Sequence, residues 1–242
     1  MQLSEVLKRL QALADPEKIV FKQKKFGIVA SDSLGIYQKD LKELASSIAK
    51  NFTKGNDKQK QNELALALYD TGIYEARLLT SRLYDPKSIT KSQMNNWTAD
   101  FENWEICDSF CMGFFTKSEY AVEKALQWSS NKEEFTKRAA FAIIATYGFV
   151  NKNAANEIFE PFFPIIKRES SDERIYVKKA VNWALRSVGK RNIDLKRMAI
   201  STAQKIQKQD SKAAQWIAKD ALRELQGTAV KVQDHPRHIY RA

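Results

Sequence analysis

The feature that most constrains the fold of this chain is a helical segment that recurs five times. Each copy has an aromatic residue three positions before a residue that is basic in four of the five copies. The last residues of successive copies are 30, 31, 41 and 40 residues apart, and the copies are Tyr74–Arg77, Trp104–Cys107, Phe135–Arg138, Tyr176–Lys179 and Trp216–Lys219. Repetition at about 40 residues is typical of stacked helix pairs, because one pair cannot bury its apolar face without neighbours. The sequence therefore predicts a curved α-solenoid with a concave binding surface.

The remaining apolar pattern is also helical. Long segments follow the i, i+3, i+4, i+7 spacing, and no stretch alternates in the manner of a strand. We expect an all-α fold of about ten to twelve helices, with one continuous domain over residues 1–227. The tail, 228–242, has no clear helical pattern, and we expect part of it to be disordered. Residues 20–35 are the least regular part of the first third, and they form either a ligand-contacting loop or the lead into another helix.

Composition excludes several classes of function. The chain has no run of about 18 apolar residues, and its first residues form an amphipathic helix, so we expect a cytoplasmic protein without a membrane partner. The two cysteines, Cys107 and Cys111, lie one helical turn apart without zinc-ligand partners, which favours reduced, buried thiols. The two histidines, His235 and His238, both lie in the polar tail, which argues against histidine catalysis or a histidine metal centre. We expect no metal and no cofactor.

The positive charge is concentrated in the last third of the chain. Residues 1–166 hold 22 Lys and Arg against 21 Asp and Glu, whereas residues 167–242 hold 18 against 8. Such an asymmetry suits a phosphate-backbone partner, because neutralising phosphates releases condensed counterions. A merely solvated basic face explains the charge equally well.

A few side chains form an unusual set for a core. Trp104 and Asp108 are four residues apart and share one helix face, and Trp183 lies in a later copy between Lys179 and Arg186. If the repeats stack in phase, these residues face one surface. Each also has a plainer interpretation: the tryptophans as packing residues, Asp108 as a surface acid, and Arg138 as an interhelical salt-bridge partner. The other tryptophans, Trp97, Trp128 and Trp216, we assign to packing.

Three strings in the sequence resemble a known family. They are Asn103–Asp108, Lys137–Ala140 and Lys178–Arg186, and they are similar to motifs of the HEAT-like-repeat DNA alkylation repair proteins, the AlkD-type DNA glycosylases. The resemblance runs from about residue 25 to about residue 226. It implies a right-handed α-solenoid of HEAT-like helical repeats that holds double-stranded DNA on a concave basic surface.

The resemblance also implies an activity. The family excises cationic alkylpurines such as N3-methyladenine and N7-methylguanine without a metal or cofactor, and it does not flip the base into a pocket. The residues that match its active face are Trp104, Asp108 and Trp183, and Arg138 matches an arginine that contacts the DNA backbone. Asn103 departs from members that have a second tryptophan there, and the tail matches no family motif.

These residues suit that chemistry. Departure of an alkylated base leaves an oxocarbenium-like sugar, which a carboxylate and tryptophan faces can stabilise. We expect phosphate contacts that set position without reading sequence, from Arg138, Lys179, Arg186, Lys190, Arg191 and Lys219. We expect a monomeric, monofunctional alkylpurine DNA glycosylase. The alternatives are a non-catalytic binder of branched or distorted DNA and a protein-interaction scaffold.

Overall fold

The computed structural model describes residues 1–53 and 57–241 and contains α-helices without strands over those residues. Fourteen α-helices are present in the described chain, whereas the sequence predicted about ten to twelve. The number is higher because several breaks fall at short turns that the apolar pattern does not mark. They are α1 (Leu3–Ala12), α2 (Pro16–Phe26), α3 (Gln38–Thr53), α4 (Lys58–Asp70), α5 (Tyr74–Leu83), α6 (Lys91–Ala99), α7 (Trp104–Cys111), α8 (Ala121–Trp128), α9 (Glu134–Val150), α10 (Phe162–Glu169), α11 (Ile175–Gly189), α12 (Ile193–Gln207), α13 (Lys212–Leu225) and α14 (Arg237–Tyr240). None of these helices is long and apolar enough to cross a membrane.

The helices form two layers. Helices α3, α5, α7, α9, α11 and α13 each pack against the next, and we call this series the odd-numbered row. Helices α4, α6, α8, α10 and α12 each pack against helices of that row. The five repeat segments fall on α5, α7, α9, α11 and α13. The first four begin at the first or second residue of their helix, whereas Trp216 is the fifth residue of α13. The predicted all-α solenoid is therefore confirmed, and the row is what places side chains of successive repeats beside one another.

An aromatic cluster fills the core between the layers in the middle of the chain. Trp97 and Trp128 are buried in it, as expected for packing residues, and Phe110 lies 5.6 Å from the Trp97 ring. Trp216 is different, since it is 42% exposed and lies under Lys178 at 5.4 Å. Its assignment to packing is wrong, because the buried stripe of α13 runs through Ala214, Ile217, Ala221 and Leu225 and leaves Trp216 off that stripe.

The cysteines join two helices of the odd-numbered row. Cys107 and Cys111 are reduced and buried, and their Sγ atoms lie 3.6 Å from the carbonyl oxygens of Phe135 and Ala139 on α9. The packing prediction for both thiols is confirmed. They let α7 approach the backbone of α9 closely, which matters for the site below.

The tail folds back onto the corner between α11 and α12. The Gln233 amide donates to the Lys190 carbonyl at 2.9 Å, and the His235 amide donates to the Arg191 carbonyl at 3.1 Å. Asn192 Nδ2 donates to the His235 carbonyl at 2.7 Å, and His235 is buried. These hydrogen bonds and α14 place residues 233–240 against the solenoid.

Candidate nucleic-acid interface and active site

Trp104 begins helix α7 and is held by a distant part of the chain. Its indole Nε1 donates to the carbonyl oxygen of Phe26, at the end of α2, at 3.0 Å. The ring is half-buried against the core. One face of the indole is therefore used for packing, and its N–H is already satisfied, so Trp104 has only ring surface to offer a ligand.

Asp108 lies one turn after Trp104 and forms a two-point ion pair with Arg138 of α9. Arg138 Nε donates to Oδ1 at 3.0 Å, and Nη2 donates to Oδ2 at 2.7 Å. The third donor, Nη1, reaches the carbonyl oxygen of Tyr176 on α11 at 2.8 Å. Arg138 thus connects three consecutive helices of the odd-numbered row and fixes the orientation of the Asp108 carboxylate.

Burial decides the proton affinity of Asp108. Desolvation raises the pKa of its carboxyl above the ordinary value, and the charge and hydrogen bonds of Arg138 only partly oppose that rise. A carboxylate with a raised pKa is a stronger proton acceptor than an exposed one. Perturbed carboxyls of this kind are more frequent at functional sites than elsewhere.

The carboxylate opens onto a cleft of about 620 Å³. Its walls come from α3, α5, α7 and the turn after α7, and the lining residues are Gln38, Ser81, Arg82, Trp104, Glu105, Asp108, Ser109, Met112, Gly113 and Lys117. Arg82 and Lys117 are exposed cations that line the same cleft, and Arg82 Nη2 donates to Gln38 Oε1 at 2.6 Å. The sequence reasoning missed both, since neither occupies the repeated basic position and only the packing of α3 and α5 on α7 brings them to the cleft.

Trp183 is half-buried on α11, two turns beyond Tyr176. Helix α9 lies between α11 and α7, and Trp183 does not line the cleft beside Asp108. The structure thus brings Trp104, Asp108 and Arg138 together, while Trp183 marks a neighbouring part of the same row. A ligand that touched both tryptophans would have to cross α9.

The expected phosphate-binding cations divide into three groups. Lys179 and Lys219 are exposed, and neither has an ion-pair partner within the described chain. Arg186 and Lys190 are half-buried, and both bind the carboxylate of Glu224, Lys190 at 2.6 Å.

Arg138 and Arg191 form the third group, and both are buried. Arg138 occupies the interhelical ion pair, the plainer of its two interpretations. Arg191 is 1% exposed and donates to the carbonyl oxygens of Gly148, Asn151, Lys152 and Ala154. The expectation that Arg191 holds phosphate is corrected, because its guanidinium is used to tie the turn after α9 to the start of α12.

The family model described as DNA alkylation repair enzyme matches residues 6–225. The chain belongs to the DNA alkylation repair enzyme family. A solved structure described as belonging to a new family of proteins related to the HEAT-like repeat DNA glycosylases, with affinity for branched DNA structures, is similar in fold. Its TM-score is 0.68 at 20% sequence identity, over 92% of this chain and 95% of that one. No curated protein matches the chain in sequence.

One residue of this family member explains a departure noted in the sequence. Asn103 is the N-cap of α7, and its side-chain oxygen accepts from the amides of Glu105 at 2.9 Å and Ile106 at 3.2 Å. Its Nδ2 donates to the Val29 carbonyl at 2.9 Å. Asn103 is therefore buried in a structural role, and it orients the first turn of α7, which carries Trp104.

Proposed function

We propose that this DNA alkylation repair family member is a monofunctional DNA glycosylase. It hydrolyses the N-glycosidic bond of cationic alkylpurines, of the N3-methyladenine and N7-methylguanine type, in duplex DNA, without flipping the base into a pocket. The observation that carries the proposal is the Asp108 carboxylate. It is oriented by Arg138, has a raised pKa, and opens onto a cleft beside Trp104.

In this reaction the protein needs to stabilise the charge that develops on the sugar far more than it needs to activate the base. An alkylated purine is already cationic, so the bond from C1′ to the base nitrogen breaks with both electrons going to the base, which leaves neutral. Positive charge then develops on the deoxyribose. Asp108 supplies negative charge close to that sugar in a partly desolvated site, where an electrostatic interaction is stronger than in water. A water attacks C1′, and Asp108 accepts the proton that the water loses.

Arg138 is a positioning residue in this scheme. Its two hydrogen bonds hold the Asp108 carboxylate in one orientation, and its charge partly opposes the rise in pKa that burial causes. The faces of Trp104 and Trp183 pack against the DNA backbone and attract positive character through their ring quadrupoles. Because Trp183 lies on α11, its contact would fall on a different nucleotide or strand segment from that of Trp104.

Phosphate contacts come from the cations that reach the surface of the odd-numbered row and of the cleft. Lys179 and Lys219 are exposed on α11 and α13, and Arg82 and Lys117 lie at the cleft. Arg186 and Lys190 can contribute their outer surface while bound to Glu224. Such contacts hold the duplex in place without reading its sequence, and they predict strong weakening of binding by salt.

A second candidate function is non-catalytic binding of branched or distorted DNA. The observation that favours it is the similar solved structure, whose description names affinity for branched DNA. On the same scaffold, the Asp108–Arg138 pair would then serve only to join α7 to α9.

Base release separates the two functions. Methylated duplex DNA is incubated with wild-type protein, with Asp108→Asn, and with Asp194→Asn as a control that alters an aspartate on α12. We expect Asp108→Asn to release methylated purines about 100- to 1000-fold more slowly, as for loss of a group that stabilises transition-state charge. Its affinity for intact duplex and the activity of the control are expected to stay near wild type. Duplex binding without release by the wild type would exclude the glycosylase and favour the second function.

The pH profile of release gives an independent test. The carboxylate form of Asp108 is the active one, and its pKa is raised. Activity should therefore decline, as the pH falls, at a higher pH than an ordinary aspartate would give. A profile that stays flat down to the ordinary range of aspartate would argue against Asp108 as the active group.

A further inference from the structure

Two exposed phenylalanines lie on α2, Phe21 at the middle of the helix and Phe26 at its C-terminal end. Phe21 is 42% exposed and Phe26 is 44% exposed. Their ring centroids are 5.9 Å apart with an angle of 82° between the planes. Lys25 Nζ lies 5.0 Å from the first ring and 5.7 Å from the second. Two neighbouring aromatic side chains with this much exposed surface, and a cation near both rings, need an explanation that core packing does not supply.

This end of α2 is fixed to the candidate active site. Helix α2 ends at Phe26, and Gly27 follows in the left-handed region with φ of 65°. The Phe26 carbonyl accepts the indole N–H of Trp104, and the Gly27 carbonyl accepts from the Tyr176 hydroxyl at 3.4 Å. Residues far apart in the chain thus hold the two rings next to α7 and α11. The exposed rings therefore belong to a helix whose end is anchored by these hydrogen bonds, and they do not belong to a frayed terminus.

The charge around the rings is positive. The segment from Phe21 to Phe26 contains three lysines and no acidic residue. Lys22 turns inward, where it pairs with Glu105 at 2.8 Å, while Lys24 and Lys25 remain exposed. Aromatic rings beside exposed cations match single-stranded nucleic acid, whose bases stack on the rings and whose phosphates meet the cations. The fully paired interior of a duplex offers no free base face to such rings.

We propose that Phe21, Lys24, Lys25 and Phe26, the α2 platform, form a binding site for unpaired nucleobases of DNA. The site takes bases that lie next to the duplex segment held at the Asp108 cleft, such as those of a gap or flap. This inference rests on the proposed DNA binding of the solenoid, and it extends that binding to a second, distinct surface. It follows that the protein binds DNA with unpaired bases more tightly than fully paired DNA.

The test compares two DNA ligands and three proteins. One ligand is an intact duplex, and the other is the same duplex with a three-nucleotide single-stranded gap that contains 2-aminopurine. The proteins are wild type, Phe21→Ser/Phe26→Ser, and the control Phe149→Ser, which changes a ring that is also 44% exposed but lies at the end of α9. Binding is followed by fluorescence anisotropy, stacking by 2-aminopurine fluorescence, and folding by thermal denaturation.

We expect wild type and control to prefer the gapped DNA by roughly 5-fold or more, the size of one stacking contact, and to change the 2-aminopurine signal. The double variant should lose the preference and the signal change, and keep its melting temperature and its affinity for intact duplex. Equal binding of both DNAs by the wild type would overturn the proposal. So would a preference retained by the double variant, or an equal loss on both DNAs. If wild type bound neither DNA, the proposed function would fail as well, so failure of the platform alone is distinguishable.

Discussion

Two carboxylates join neighbouring helices of the odd-numbered row, and their proton affinities move in opposite directions. Asp108 on α7 binds one cation, Arg138, and its side chain is 15% exposed. Glu224 on α13 binds two cations, Arg186 and Lys190, and its side chain is 23% exposed. Burial raises the pKa of both groups. For Asp108 burial prevails, whereas for Glu224 the hydrogen bonds from Lys190 and Arg186 outweigh it and lower the pKa.

The difference shows that an ion pair between neighbouring helices can either stabilise a carboxylate as an anion or leave its charge only partly stabilised. A carboxylate with a lowered pKa is stabilised as an anion and acts as a strut between α11 and α13. A carboxylate with a raised pKa is held in an environment that does not fully stabilise its charge, and it can gain from interaction with a positive centre that develops beside it. The two carboxylates differ in the number of cations that they bind and in their degree of burial.

Removing Arg138 from the buried Asp108–Arg138 pair should lower the free energy of unfolding more than the other changes do. Arg138→Met leaves Asp108 without its partner and the Tyr176 carbonyl without its donor, and we expect the free energy of unfolding to fall by about 3 kcal/mol. Urea denaturation of this variant and of Arg138→Lys measures it. The lysine keeps the charge but cannot bind both oxygens in the same way, so it should recover only part of the loss. A loss below about 1 kcal/mol would mean that Asp108 does not depend on Arg138.

Disturbing the packing around the end of α11, where Glu224 joins α13 to α11, should lower the free energy of unfolding by a smaller amount. At Gly189 an added Cβ would lie 2.7 Å from Ala199 Cβ and 3.0 Å from both Leu225 methyl carbons. Gly189→Ala should therefore push α12 and α13 away from α11 and lower the free energy of unfolding by about 1–3 kcal/mol through overpacking. The same denaturation assay applies. Gly113→Ala, where an added Cβ meets nothing within 4 Å, is the control and should stay close to wild type. An unchanged Gly189→Ala would show that this junction tolerates displacement.

Removing the charge of Glu224 should lower the free energy of unfolding by less than Gly189→Ala does. Glu224→Gln keeps the shape of the side chain and removes its charge, and we expect a loss of about 0.5–1 kcal/mol at neutral pH, because the pair is partly exposed to solvent. High salt should reduce that loss. If Glu224→Gln destabilised the protein as much as Arg138→Met, the contrast between the two junctions would disappear.

The smallest expected effect is the pH dependence of the difference in unfolding free energy between wild type and Glu224→Gln. The folded-state pKa of Glu224 lies below its ordinary value of 4.5, so its contribution is fully present above that pH. It is lost as the pH falls through the lowered folded-state pKa. Wild type and Glu224→Gln should therefore differ in unfolding free energy at neutral pH and converge in acid. A difference that grew on acidification would contradict the lowered pKa.

The sequence was sufficient where the signal is local and repeated. The spacing of the five aromatic segments predicted the odd-numbered row, and the four-residue step from Cys107 to Cys111 predicted two thiols on one buried face. The prediction was wrong for Arg191, which we expected to contact phosphate and which is buried. Its actual environment comes from a turn about 40 residues earlier in the chain, and helical periodicity carries no information about such a turn.

By itself, the sequence determined the all-α class, the stacking of helices in repeats, and membership of a DNA alkylation repair family, because these depend on periodicity and on short strings of residues. Only the tertiary structure decided which cations remain free and which are used internally. It also decided that Asp108 is paired and partly desolvated, and that the end of α2 lies against Trp104 and Tyr176. The physical reason is that charge, burial and hydrogen-bond partners are properties of helix packing, which joins residues as far apart as Gly27 and Tyr176.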